Sequence, residues 1–220
     1  MKNTISMSER IRKLHHSVHL PNNNAGLVMG VGGAGAIIVD YLFNQLRQKF
    51  DFIIADSDVK VISSFPDLPY LLLGESKLAG LGCSSPANGV LAAKASEKEL
   101  QSTMFAYKEI ILVLGLGGGC GTGSSMEIIK MAKLMDITIH IITLLPFEFE
   151  NRHRLNALQY REEIKVLADS YYEFDNQQYF DQLMAVNASM TLEMFYLKIQ
   201  EAIQDYIVAE LLIEESVYVR

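Results

Sequence analysis

An α/β fold is predicted for this chain: a Rossmann-like parallel sheet with helices on both faces. Three observations predict it. Short apolar runs alternate with helix-patterned stretches of ten or more residues, which favours a covered parallel sheet. Two glycine-rich segments stand between an apolar run and a helical pattern, the place where such sheets bind ligands. Of the 220 residues 50% are hydrophobic and 20% charged, enough for a sizeable core and too apolar for wholesale disorder.

The elements follow in order. Ser8 caps a helix over roughly residues 9–18, with Ile11, Leu14 and Val18 at helical spacing. Residues 21–24 (PNNN) form a linker. The run 26–30 is a buried strand ending in a glycine turn, and residues 36–49 carry a helical pattern. A second strand at 52–55 ends in Asp56-Ser57-Asp58, and a third spans Tyr70 to Leu73. A second turn-rich loop, Gly80 to Pro86, precedes one helix over 89–105. Apolar 110–114 is a strand, followed by the loop Gly115 to Ser124, a helix over 125–135 and a strand over 137–144. Pro146 opens a loop before a helix over 152–168. A strand near 170–174, a short helix near 177–184 and a long helix over about 191–214 complete the pattern.

Charge and composition remove several functions. A net charge of −7 argues against a general nucleic-acid or anionic-membrane surface. No apolar run has the ~18–20 residues of a membrane span. Two cysteines, Cys83 and Cys120, make no disulfide framework, and with no secretory signal they point to a reducing cytoplasm. His15, His16 and His19 lack metal-ligand spacing, so a solvated helix face is the reading and no metal site is assigned.

The two glycine loops carry the chemistry. Gly30-Val-Gly-Gly-Ala-Gly35 is a GxGxxG whose bare backbone lets a phosphate approach the peptide N–H groups at a helix N-terminus. Asp56 and Asp58 follow about 20 residues later, where a ribose-binding acid sits in dinucleotide sites. A ligand-free tight turn is the alternative. In Gly115 to Ser124, six of ten residues are glycine, each costing ~0.5–1 kcal/mol relative to alanine. A close approach from several directions is implied, and a polyphosphate fits it, with Thr122 and Ser124 offering hydroxyls. Neither loop carries the GxxxxGK[ST] of a P-loop NTPase.

GVGGAG, DFIIADSD, GLG, GGGCGTGS and PFEFENRHR resemble, in order and spacing over roughly residues 26–208, the tubulin/FtsZ GTPase family, FtsZ most of all. The resemblance argues against a nicotinamide or flavin enzyme. It implies phosphate contacts at Gly32, Gly33 and Gly35, and a loop of Gly117, Gly118, Gly119, Cys120, Gly121, Thr122 and Gly123 wrapping the phosphates. Gly82, Cys83 and Ser84 would face the terminal phosphate, and Asp56 and Asp58 would lie near phosphate and Mg²⁺. Glu150 matches a ribose-contacting glutamate and Arg154 an arginine beside base and ribose. Asn176 falls where the family reads guanine, and Glu193 replaces an aspartate accepting from the guanine N1–H and amine. Plainer readings stand beside these: an exposed Glu150–Arg154 pair worth ~0.2–0.5 kcal/mol, and Asp58 as the cap of a helix at 59–63.

The chain departs from the family pattern. Ile37 replaces a phosphate-contacting asparagine, Cys120 replaces a threonine hydroxyl with a weak thiol donor, and the GLG loop is shorter. The expected organisation is an N-terminal helical extension and linker at 1–24, a GTP-binding domain at 25–190, and a long terminal helix and tail at 191–220. No C-terminal activation domain or acidic loop is expected after them. Leu192, Met194, Phe195, Tyr196, Leu197, Ile199, Ile203, Tyr206, Ile207, Val208, Leu211, Leu212 and Ile213 cover nearly the whole circumference of that helix, so burial on all sides is expected, with 206–219 docked on another subunit or on the chain's own sheet.

The resulting expectation is a guanine-nucleotide-binding protein, with GTP/GDP and Mg²⁺, that self-assembles into filaments or oligomers with weak or absent hydrolysis and no catalytic residue of its own. The alternative is a non-polymerising, nucleotide-bound regulator of a full-length FtsZ-like partner. No nucleic acid and no integral membrane segment are expected.

Overall fold

The computed structural model describes residues 26–211, with the backbone alone at Leu211. The expected helix over 9–18, the linker at 21–24 and the tail from residue 212 lie outside the described residues.

Six parallel strands form one sheet in the order β3-β2-β1-β4-β5-β6. They are β1 (Gly26–Val31), β2 (Phe50–Asp56), β3 (Tyr70–Leu72), β4 (Glu109–Gly115), β5 (Thr138–Leu145) and β6 (Ser170–Asp175). The central strands are buried on both faces, so they are nearly continuous apolar runs rather than alternating ones. The helices are α1 (Gly32–Leu46), α2 (Val59–Ser63), α3 (Glu75–Leu78), α4 (Pro86–Ala95), α5 (Glu97–Met104), α6 (Ser125–Leu134), α7 (Asn151–Leu167), α8 (Asn176–Val186) and α9 (Leu192–Tyr206).

Each sheet face carries its own core. Leu27, Met29, Ile53, Leu112 and Ile141 pack under α4, α6 and α7 through Ala92, Ile128, Ile129 and Ala157. Val28, Phe52, Ile54, Val113 and Ile142 pack under α1 and α9 through Val39, Leu42, Phe195, Ile199 and Ile203. The expected α/β layering is present, and the strand order reverses between β1 and β4. That reversal opens a crevice beyond their carboxyl ends.

The single helix expected over 89–105 is two. Ser96 breaks it: its hydroxyl accepts from the Gly74 N–H at 2.9 Å, and its backbone leaves the helical region at φ −110°, ψ 24°. Residues 32–35, expected as a turn, already belong to α1. Only Gly32 has a positive φ there, 77°, and the helix starts on the glycines themselves.

The last helix corrects the expectation of burial on every side. Within the described residues one stripe, Phe195, Ile199, Ile203 and Ile207, is buried. The other side leaves Leu192, Met194, Tyr196 and Leu197 exposed. Beyond α9 a π-helical segment, Ile207–Leu211, buries Ile207, and Tyr206 stacks on Tyr172 of β6 at 4.1 Å. Residues 206–207 thus fold back on the chain's own sheet.

Candidate functional site

Every loop at the carboxyl end of the sheet converges on one rim. Above β1 and β4, Val31 leads into α1, and Gly118 leads into a π-helical turn, Gly119–Ser124, that runs on into α6. Neither α1 nor the π turn has a side-chain cap or a carboxylate in its first turn. Asp58, Ser85, Asp175 and Thr191 accept from amides of α2, α4, α8 and α9, while α3, α5, α6 and α7 likewise carry no side-chain cap bond. The first amides of α1 and of the π turn therefore have no side-chain acceptor within the chain.

The glycines fall into two groups. A Cβ on Gly32 would meet the Gly121 N at 2.8 Å, and one on Gly117 the His153 carbonyl oxygen at 2.1 Å. On Gly119 it would meet the Cys83 oxygen at 2.2 Å, on Gly121 the Gly115 oxygen at 2.5 Å, and on Gly123 the Pro86 oxygen at 1.9 Å. On Gly35 it would meet the Val113 oxygen at 2.4 Å. What approaches these glycines is the chain's own backbone. Gly118 has nothing within 4 Å, and Gly33 only Val61 at 4.0 Å. The inference that six glycines imply a surrounding ligand therefore needs correction: most let neighbouring loops interlock, and Gly33 and Gly118 are the open ones.

The expected hydroxyls are also spoken for. Thr122 is fully buried, and its Oγ1 accepts from the Gly117 N–H at 2.8 Å. Ser124 is buried and donates to the Gly89 carbonyl at 3.0 Å. Both pin the loop rather than face the rim.

Asp56 is buried, accepts from the Asp58 N–H at 2.8 Å, and has its carboxyl pKa raised chiefly by burial. Asp58 is half-buried. One oxygen caps α2 through the Lys60 N–H at 2.8 Å, and the other faces Gly82. The plain helix-cap reading of Asp58 is thus observed. Gly82 and Ser84 are exposed beside it, and Ser84 Oγ accepts from Asn88 Nδ2 at 3.0 Å. Between them Cys83 is half-exposed, with its Sγ 3.1 Å from Ser57 Oγ. Its hydrogen bond with the buried Cys120 thiol is the main influence and lowers the Cys83 pKa to about 7, against the upward push of burial. The Cys120 thiol is pushed up by its interaction with Cys83 and by burial.

Above β5 and β6 the rim is made of side chains. Glu150 accepts from the Phe147 N–H at 3.1 Å and lies 3.5 Å from His153. Arg154 does not pair with Glu150. It donates to both oxygens of Asp175, at 2.9 and 2.6 Å, and to the Pro146 carbonyl. Burial alone would raise Asp175, but the Arg154 bonds and the amides of Gln178 and Gln177 outweigh it and hold its carboxyl below the usual range. Asn176, the first residue of α8, is buried, and its Oδ1 has no hydrogen-bond partner. Such an orphan costs ~1–3 kcal/mol, which a donor from outside would recover. Glu193 is exposed in the first turn of α9.

Sequence reasoning missed Asp175. Its signal was available, since an acidic residue directly before a helical pattern is an N-cap candidate. Its pairing with Arg154, 21 residues away, had none.

Residues 26–184 match the family model described as the Tubulin/FtsZ family, GTPase domain. The chain is similar to the cell division protein FtsZ of Rickettsia typhi, 36% identical over 132 residues, 59% of this chain and 29% of that protein. It therefore spans well under half of that relative's length. Among solved structures it resembles an empty FtsZ dimer of M. jannaschii, with TM-score 0.73 and 23% identity over 91% of this chain and 56% of that one. It also resembles CetZ2 from Haloferax volcanii, a GTPγS-bound protofilament, with TM-score 0.71 and 23% identity over 83% of this chain and 56% of that one.

Proposed function

The chain belongs to the tubulin/FtsZ family, in its GTPase domain, and from that premise we propose that its rim binds GTP or GDP and that nucleotide-dependent self-assembly is its task. The observation that carries this reading is the meeting of two uncapped, carboxylate-free helix starts above the β1–β4 reversal. Such a place favours an anion twice, through free N–H donors and through aligned peptide dipoles. A phosphate chain would run over Gly33 and Gly118, the two positions open to it. Its purine would reach Asn176, whose unpartnered Oδ1 is the acceptor that a guanine N–H donor requires. Glu193 would supply a second acceptor, and Glu150 with Arg154 would border the ribose.

Magnesium would arrive with the triphosphate. No cluster of three His, Cys, Asp or Glu among the described residues could hold a metal, so phosphate oxygens and water would supply its ligands. Turnover would be weak from residues 26–211 alone. The carboxylates above the strands are engaged: Asp56 by Asp58 N–H, Asp58 by α2, Asp175 by Arg154, Glu150 by Phe147 N–H. Each of these is held in place by a bond within the chain, and a second subunit polarising the attacking water is part of the proposal. No described helix is long and apolar enough to cross a membrane, and a cytoplasmic setting is part of the proposal.

Calorimetry with GDP, GTP and ATP tests the binding. Heat with both guanine nucleotides, and binding of ATP at least about tenfold weaker, is expected. Absence of heat with GDP and GTP, in folded protein, overturns it. Sedimentation with GTP tests assembly. The exposed strip Leu192, Met194, Tyr196 and Leu197 favours a second reading, a nucleotide-bound module docking on a longer relative. That reading gains if GTP yields no polymer alone but alters the relative's filaments.

A further inference from the structure

We propose that Cys83 and Cys120 are a peroxide-oxidisable dithiol, a modification site whose disulfide ties the Gly80–Ser85 loop to the glycine-rich loop above β4. Cys120 is the first cause of the shift at Cys83, and Cys83 the first cause of the shift at Cys120, so each thiol stands within the other's field. Their loops interlock beside them: a Cβ on Gly119 would lie 2.2 Å from the Cys83 carbonyl oxygen and 2.9 Å from the Cys83 Cβ. Cys120 is part of the buried cluster on this face of the sheet, and the half-exposed Cys83 packs against the same cluster.

Their environments divide the work. Cys83 is half-exposed, and Ser57 Oγ at 3.1 Å joins Cys120 in stabilising its thiolate. It is therefore the sulfur a peroxide meets first. The Cys83 thiolate attacks one peroxide oxygen; the O–O bond breaks, an S–O bond forms, and hydroxide leaves and takes a proton to become water. The sulfur is oxidised by two electrons and the peroxide reduced. Cys120, buried against Ser124 Oγ at 3.6 Å, then attacks the sulfenic sulfur. An S–S bond forms, and the departing hydroxyl leaves with the Cys120 proton as a second water. The sum is two thiols and one peroxide to one disulfide and two waters.

The chemistry rests on the contact between the two loops and on the mutual influence of the two thiols; its consequence for nucleotide rests on the proposed function. The tie would fix the loops on either side of Gly118, and a bound phosphate chain would screen Cys83.

The test treats the reduced full chain with hydrogen peroxide and maps peptides by mass spectrometry without reductant. A Cys83–Cys120 cross-link lacking two hydrogens and reversed by dithiothreitol is expected. Cys120→Ser should stop at a dimedone-reactive sulfenic acid on Cys83, and Cys83→Ser should leave Cys120 reduced. Both thiols still alkylatable, or Cys83 over-oxidised with no cross-link in the wild-type chain, overturns the proposal without touching nucleotide binding. Saturating GDP, verified by calorimetry, should slow cross-linking about tenfold. An unchanged rate at verified occupancy overturns the placement of the dithiol under the phosphates. A cross-link in a protein that gives no heat with GDP or GTP would instead sink the nucleotide reading and leave the dithiol standing.

Discussion

The rim above β1 and β4 is built from backbone, whereas the rim above β5 and β6 is built from side chains. In the first, loops interlock through glycines where an added Cβ would strike a neighbour's carbonyl, and the groups offered outward are amides. In the second, Arg154, Asp175, Asn176 and Glu150 hold each other or wait for a partner. The difference teaches where each half is vulnerable. A backbone site fails when an atom is added at an interlocking glycine, and a side-chain site fails when a charge or a donor is removed.

The largest expected effect breaks the backbone half. Gly123→Ala puts a methyl 1.9 Å from the Pro86 oxygen, and Gly119→Ala puts one 2.2 Å from the Cys83 oxygen. Neither neighbour is the flexible end of a side chain. Each substitution should cost more than ~4 kcal/mol, or at least ~8 °C in thermal midpoint at ~2–4 °C per kcal/mol. Gly118→Ala, with open space around it and φ −78°, should stay within ~0.5 kcal/mol. Calorimetric melting of the three proteins decides the matter. A Gly118→Ala midpoint as low as that of Gly123→Ala would end the distinction between interlocking and open glycines.

A smaller effect belongs to the side-chain half. Asp175→Asn leaves the largely buried Arg154 guanidinium without its anionic partner, at a cost of ~1.5–3 kcal/mol at neutral pH. The folded carboxyl of Asp175 lies below its ordinary value, near ~3.9 in an unfolded chain. The stabilisation is therefore complete above that value and is lost as pH falls through the folded one. Denaturant titrations of wild type and variant should differ most at pH ~7 and converge as pH drops below ~4. A gap that persists or widens in acid would show that the pair is not what orders this half.

The two halves were unequally legible in the sequence. The sheet, its crevice and the glycine loops could be read because apolar period and glycine density are local signals. Even there the reason for the glycines was misassigned, because Gly119 answers to Cys83 and Gly123 to Pro86, contacts between segments far apart in the chain. Thr122 and Ser124 were read as outward donors for the same cause: nothing local says that a hydroxyl turns inward to Gly117 or to Gly89. The break at Ser96 depends on Gly74, 22 residues earlier. Arg154 could be found by its spacing from Glu150, but its actual partner, Asp175, arrives only when β5 and β6 pair in register through Leu145 and Asp175.

Within the side-chain half, the smallest expected effect on stability is the sharpest test of what that half is for. Asn176 Oδ1 is buried and unpartnered, so in the free protein it is a cost of ~1–3 kcal/mol rather than a contribution. Asn176→Ala removes that cost along with the packing and the amide N–H of the side chain. The two effects oppose each other, and the free variant should melt within ~1 kcal/mol of wild type. An internal structural role for the amide would instead lower stability as Asp175→Asn does. With GDP present the outcome should reverse, because the acceptor meeting the purine is gone. Affinity should fall at least tenfold, ~1.4 kcal/mol, with the preference for guanine over adenine reduced by the same factor. A variant that binds GDP as wild type does would move the purine away from α8, and would leave the orphaned oxygen as strain that the fold tolerates for no ligand's sake.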